Sequence, residues 1–171
     1  TNRTVPSWLY MLEQGATTIW ERWDGYVKGR GFQDPGMNSF NHWAFGAVGE
    51  WLWRNVGGLN PDNDQPGWKQ FTIVPRPGGG VTWANADYDS LHGRITSRWK
   101  RKGARFTLEV SIPANTSATV ALPAADAASV KERGIPAARA RGVRFLRFED
   151  GRAWFEVGSG KYEFTAAVCS Q

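Results

Sequence analysis

The sequence runs to 171 residues, 41% hydrophobic and 22% charged, which suits one ordinary domain or two small ones and excludes a disordered chain. Arg and Lys interrupt every apolar stretch well short of a membrane span, and a single cysteine, Cys169, excludes an internal disulfide and a cysteine-built metal site. The formal charge of +5 is uneven: residues 1–65 hold five Lys/Arg and seven Asp/Glu, whereas residues 66–171 hold sixteen and nine.

The acidic front is helical in pattern. Residues 8–14 predict a short helix that ends at Gly15, a suitable left-handed cap. The passage 25–36 is rich in Gly, Asp and Pro and reads as loop. A second helix is expected from about Ser39 to Val56, capped by Asn38 or Ser39. Its apolar face would carry Phe40, Trp43, Ala44, Ala47, Val48, Trp51 and Leu52 at three- and four-residue spacing. Gly57-Gly58 stops it. Six of the ten tryptophans precede residue 54. Two readings of that excess stand: a large aromatic core, or a carbohydrate site in which a pyranose stacks on an indole.

Residues 60–68 read as a polar linker, and after them the hydrophobic period changes to two. Strands are expected over 69–75, 81–89, 93–100, 105–112, 116–122, 143–149, 152–157 and 161–168, separated by turn signals such as Asp150-Gly151. Many short strands at this spacing predict an antiparallel β-sandwich. Cys169 sits in the apolar C-terminal strand stretch and reads as a buried, inert thiol rather than a reactive one.

The densest chemical cluster is Trp20-Glu21-Arg22-Trp23-Asp24. A carboxylate between two indoles has the parts of an acid/base site, but on these residues alone a Glu21 paired with Arg22 or another base on a helix surface is the plainer reading. Apolar walls raise a carboxyl pKa and Arg22 would lower it, so the cluster alone leaves the protonation state open. His42, in Asn41-His42-Trp43, is a second candidate, or else a helix-capping or satisfied core residue. His92 reads as structural. No two histidines have metal-ligand spacing, and Pro77-Gly78-Gly79-Gly80 lacks the lysine and helix of a phosphate loop. Arg98-Trp99-Lys100-Arg101-Lys102 could track a phosphate backbone, but it fits a strand and hairpin with Trp99 inward and the charges outward. No nucleic-acid or membrane partner is therefore expected.

Beyond these local signals, the segments WLYMLEQGATTIWERWDG, FQDPGMNSFNHWAFGAVGEWLWRNVGGL, FTIVPRPGGGVTWANADYDSLHGRI and FTLEVSIPANTSATVALPA, with EVGSGKYEFT, resemble in order the C-terminal part of family 78 α-L-rhamnosidases. The resemblance covers nearly the whole chain and is weakest over 124–142. It implies an α+β fragment: the last helices of an (α/α)6 barrel over 1–59, the linker 60–68, and a C-terminal β-sandwich over 69–171. It further implies a bacterial hydrolase that removes terminal α-L-rhamnose from glycosides by inversion, with no cofactor. Inversion needs two carboxyl groups roughly 6.5–9.5 Å apart. The family's general base carries over to Glu21 and its sugar-contacting histidine to His42. Trp20, Trp23 and Asp24 match neighbouring motif positions as further substrate contacts. The general acid lies in barrel helices outside these residues, so the fragment is expected to be inactive alone. A barrel remnant should also leave apolar side chains such as Trp8, Leu12, Phe45 and Trp53 open to self-association.

Overall fold

Ser7 opens the first helix, α1 (Trp8–Glu13), where its hydroxyl accepts the Tyr10 N–H at 3.0 Å. This satisfies one of the donors that a helix start leaves without a partner. Gly15 closes the helix at φ 98°. Its N–H reaches the Leu12 carbonyl and the Ala16 N–H reaches that of Met11, both at 3.0 Å, the paired bonds of a glycine-capped end. The computed structural model describes residues 3–168, which divide into two compact units between Trp51 and Leu52. Cys169 lies outside the described residues.

The rest of the first unit departs from expectation in two places. The supposed loop at 25–36 contains a small antiparallel ribbon, β1 (Tyr26–Val27) with β2 (Gly31–Phe32). The long helix expected over 39–56 does not form. Instead a 3₁₀ turn (Ala44–Ala47) leads into one turn of α-helix, α2 (Val48–Trp51), and a π-helical turn (Leu52–Gly57) belongs to the second unit. Both expected caps are committed elsewhere. The Asn38 amide donates to the Gly25 carbonyl at 2.9 Å, and the Ser39 hydroxyl accepts the Asn41 N–H at 3.2 Å. Gly46 and Gly49 each weaken a helix by about 1 kcal/mol relative to alanine. The apolar residues also serve two places rather than one face: Trp51 is 57% exposed, whereas Trp53 and Val56 pack on the core of the second unit. Trp53 is thus not the open side chain that was expected. Trp8 and Leu12 are exposed, while Phe45 is partly covered.

The second unit is a two-sheet sandwich. One sheet has six strands in the order β10-β9-β13-β7-β6-β5, all antiparallel. These are β5 (Trp83–Ser90), β6 (Gly93–Lys102), β7 (Arg105–Ile112), β9 (Lys131–Glu132), β10 (Ile135–Pro136) and β13 (Gly160–Ala167). The other sheet is ordered β11-β12-β8-β4-β3. It comprises β3 (Leu59–Pro61), β4 (Gln70–Ile73), β8 (Ser117–Pro123), β11 (Val143–Glu149) and β12 (Arg152–Val157). It is mixed, not purely antiparallel, because β4 runs parallel to β8. Between those two strands the chain crosses to the six-stranded sheet to form β5, β6 and β7, and it returns in the same direction. Within residues 60–68, Asn60 and Pro61 pair with Thr72 and Phe71 as part of β3, and Trp68 packs against Tyr88 with ring centroids 4.5 Å apart.

Alternation builds the core. In β7, Phe106, Leu108, Val110 and Ile112 point inward, and in β12 Ala153, Phe155 and Val157 do the same. Trp99, Phe71, Phe106, Phe155 and Phe164 are its largest members. The π-helical turn is tied to this body by side chains of β6. Trp99 Nε1 donates to the Val56 carbonyl at 2.6 Å and Ser97 Oγ to that of Gly57 at 2.7 Å. The Val74 N–H then reaches Gly58 at 2.8 Å.

Gly58 sits at φ 84°, and a Cβ there would lie 2.6 Å from the Val74 carbonyl carbon. Strained backbone and a backbone clash add, so Gly58→Ala is expected to destabilise the chain by about 2–4 kcal/mol. Urea unfolding followed by far-UV circular dichroism checks this. A midpoint unchanged from the parent chain would show that the backbone there has room to give.

Candidate active site

Two irregular segments of the first unit are joined by backbone hydrogen bonds and carry the candidate residues. The Glu21 N–H donates to the Ser39 carbonyl and the His42 N–H to that of Ile19, each at 2.8 Å. Thr18 Oγ1 donates to the Phe40 carbonyl between them. Trp20 turns inward, only 5% exposed, and meets Phe40 edge-on at 5.0 Å. Glu21 keeps 21% of its side chain exposed.

The two oxygens of Glu21 have different surroundings. Oε2 accepts the Ser39 N–H at 2.8 Å. Oε1 faces His42 Nε2 at 3.9 Å, too far for a hydrogen bond. The His42 ring is itself oriented: its Nδ1 accepts the Ala44 N–H at 3.2 Å. An accepting Nδ1 leaves the ring proton on Nε2, the nitrogen that faces the carboxylate. The pair thus presents a free carboxylate oxygen beside an N–H donor. That arrangement can accept a proton from one bound group while donating a hydrogen bond to another.

An aromatic wall stands in the same unit. Trp23 stacks on Phe45 with centroids 3.8 Å apart and planes 13° from parallel, and Trp8 closes edge-on at 5.0 Å. Trp8 Nε1 donates to the Phe45 carbonyl at 3.1 Å. Asp24 pairs with Arg22 at 3.5 Å, both partly exposed. Of the five candidates, then, Glu21 and His42 are brought face to face. Trp23 belongs to a stacked cluster, Asp24 is held by its neighbour, and Trp20 is a packing residue with its faces covered.

Two residues in contact with this pair escaped sequence reasoning. Ser39 was read only as a helix cap, yet its N–H and carbonyl both fix Glu21. Trp43 is 82% exposed with its ring nearly parallel to His42 at 6.1 Å. Both lie within the Asn-Ser-Phe-Asn-His-Trp run, and the bonding of Ser39 to Glu21 has no signal in spacing. His92 lies exposed at the β5–β6 turn, far in sequence from this cluster, with its N–H on Ser90 Oγ at 3.1 Å.

Comparison with known proteins gives a consistent result. Residues 1–56 match the bacterial alpha-L-rhamnosidase 6 hairpin glycosidase domain, and residues 58–135 match the bacterial alpha-L-rhamnosidase C-terminal domain. An alpha-L-rhamnosidase of Streptomyces avermitilis is 47% identical over 95% of this chain, which spans 15% of that protein. One from Formosa agariphila is 38% identical over 96% of the chain, which spans 18% of it. The crystal structure of the Streptomyces avermitilis enzyme complexed with L-rhamnose superimposes with a TM-score of 0.85 at 46% identity, covering 96% of this chain and 15% of that one.

Proposed function

Since the chain belongs to the bacterial α-L-rhamnosidase family, we propose that it supplies the general base of an inverting glycosidase that removes terminal α-L-rhamnose. One observation carries this reading: Glu21 Oε2 is held by the Ser39 N–H while Oε1 stays open beside His42 Nε2. A base of this kind must keep one lone pair free for a water proton and must not rotate away from it. The Ser39 bond restrains rotation. The His42 N–H is then placed to donate to a sugar hydroxyl. Trp23 and Asp24 flank the sugar in this proposal, whereas the buried Trp20 positions Glu21 from behind.

In an inverting reaction the water attacks opposite the departing oxygen, which a second carboxylic acid must protonate. That acid falls outside these residues in the proposal, so the 171-residue chain alone does not turn over. Two measurements test the reading. The chain by itself should release no p-nitrophenol from its α-L-rhamnoside, whereas a full-length enzyme carrying this segment should. Proton NMR of the early products should show β-L-rhamnose first. Appearance of the α-anomer first would rule out inversion, and turnover by the isolated chain would show that no second group is needed.

A further inference from the structure

The outer face of the six-stranded sheet carries an assembly that a rhamnoside site in the first unit does not use. Three adjoining depressions of about 470, 660 and 490 Å³ run across it. The first shares Arg98 and Glu109 with the second, and the second shares Arg133 and Glu163 with the third, so they form one trough. Seven basic residues line it against two acidic ones.

Strand register orders these groups into rows. Trp83 pairs with Lys100, Lys100 with Thr107, Thr107 with Thr165 and Thr165 with Lys131. Strands lie about 4.8 Å apart, so this row is roughly 19 Å long. The next row places Asn85, Arg98, Glu109 and Glu163 side by side. Part of the charge is already met: Asp87 holds both Arg94 and Arg98 at 3.3 Å. Lys100, Arg105, Lys131 and Lys161 have no ion pair among the described residues. Trp83, at one end, is 61% exposed and makes no ring contact among the described residues.

We propose that this face binds an anionic polysaccharide, a chain of hydroxyl-bearing sugars with carboxylates at intervals. Trp83 offers a flat apolar face for a pyranose. Lys100 and Lys131 stand in that row to meet carboxylates, and Thr107 and Thr165 between them suit hydroxyls. Glu109 and Glu163 decide against nucleic acid. They are directly opposed in the middle of the trough, and neither forms an ion pair among the described residues. A phosphate backbone, with one charge per ~1.7 Å of duplex, would be forced over them. Sugar hydroxyls would instead donate to them, and such charge-assisted bonds are strong.

The test is calorimetric titration of the 171-residue chain at 0.15 M salt with polygalacturonate, its fully methyl-esterified form, and oligothymidylate. Polygalacturonate should bind. The esterified form, which keeps the backbone but loses the charge, should bind at least tenfold more weakly, as should oligothymidylate. Trp83→Ala and Lys100→Glu should each weaken polygalacturonate binding at least tenfold, while Lys100→Arg retains it. Circular dichroism establishes that each variant is folded. No binding by the parent chain would overturn the proposal, as would undiminished binding by folded Trp83→Ala. Equal or tighter binding of oligothymidylate would reassign the face to polyanions in general. The assay leaves Glu21 untouched, so its outcome is separate from that of the hydrolysis reading.

Discussion

Replacing Glu21 by Gln in a full-length enzyme that carries this segment is expected to lower turnover by about 10²–10⁴-fold, the usual contribution of a positioned acid–base group. The amide keeps the length of the side chain and an oxygen to accept the Ser39 N–H, now at 2.8 Å from Oε2. It has no lone pair basic enough to take a proton from water. Substrate affinity should change little, because the lost interaction is made only in the transition state. The measurement is steady-state release of p-nitrophenol from its α-L-rhamnoside, with kcat and KM separated. A kcat within a few-fold of the parent would move the base elsewhere, and Asp24 would be the first residue to test. His42→Ala should behave differently and weaken binding together with turnover, if its Nε2–H meets the sugar.

Trp99→Ala carries the largest expected loss of stability, about 3–5 kcal/mol. The indole is 2% exposed and stacks on Phe106 with centroids 5.7 Å apart. Its removal leaves a cavity that neighbouring strands cannot fill without shifting their register. The partly buried Val56 carbonyl, which now accepts Nε1 at 2.6 Å, also loses this bond, and leaving such an acceptor unmet costs up to about 1–3 kcal/mol. Trp99→Phe should recover part of the packing but not the hydrogen bond, so its loss should fall between the parent and the alanine variant. Urea unfolding by far-UV circular dichroism would read both. If the alanine variant unfolds within about 1 kcal/mol of the parent, the indole is not what fastens the π-helical turn to the sheet.

Local pattern determined much of the sandwich. Strands β7, β11 and β12 occupy the expected residues, because period-two alternation and the flanking turn residues are read within one strand. Trp99 points inward for the same reason. The end of α1 was equally legible, since only a residue tolerant of positive φ suits Gly15.

Tertiary structure decided what local pattern leaves ambiguous. Apolar spacing between Phe40 and Val56 suits a helix, but it does not say which body buries each residue. Trp53 and Val56 go to the sandwich while Trp51 stays exposed, and the helix breaks where those demands part. The parallel pairing of β4 with β8 joins residues over forty positions apart, beyond the reach of any hairpin signal. In the candidate site, the identities of Glu21 and His42 came from resemblance to a family and not from spacing. Their approach to 3.9 Å comes from backbone bonds between the two segments, Glu21 to Ser39 and His42 to Ile19. Side-chain chemistry is written residue by residue, whereas proximity depends on which distant backbone groups satisfy one another on folding.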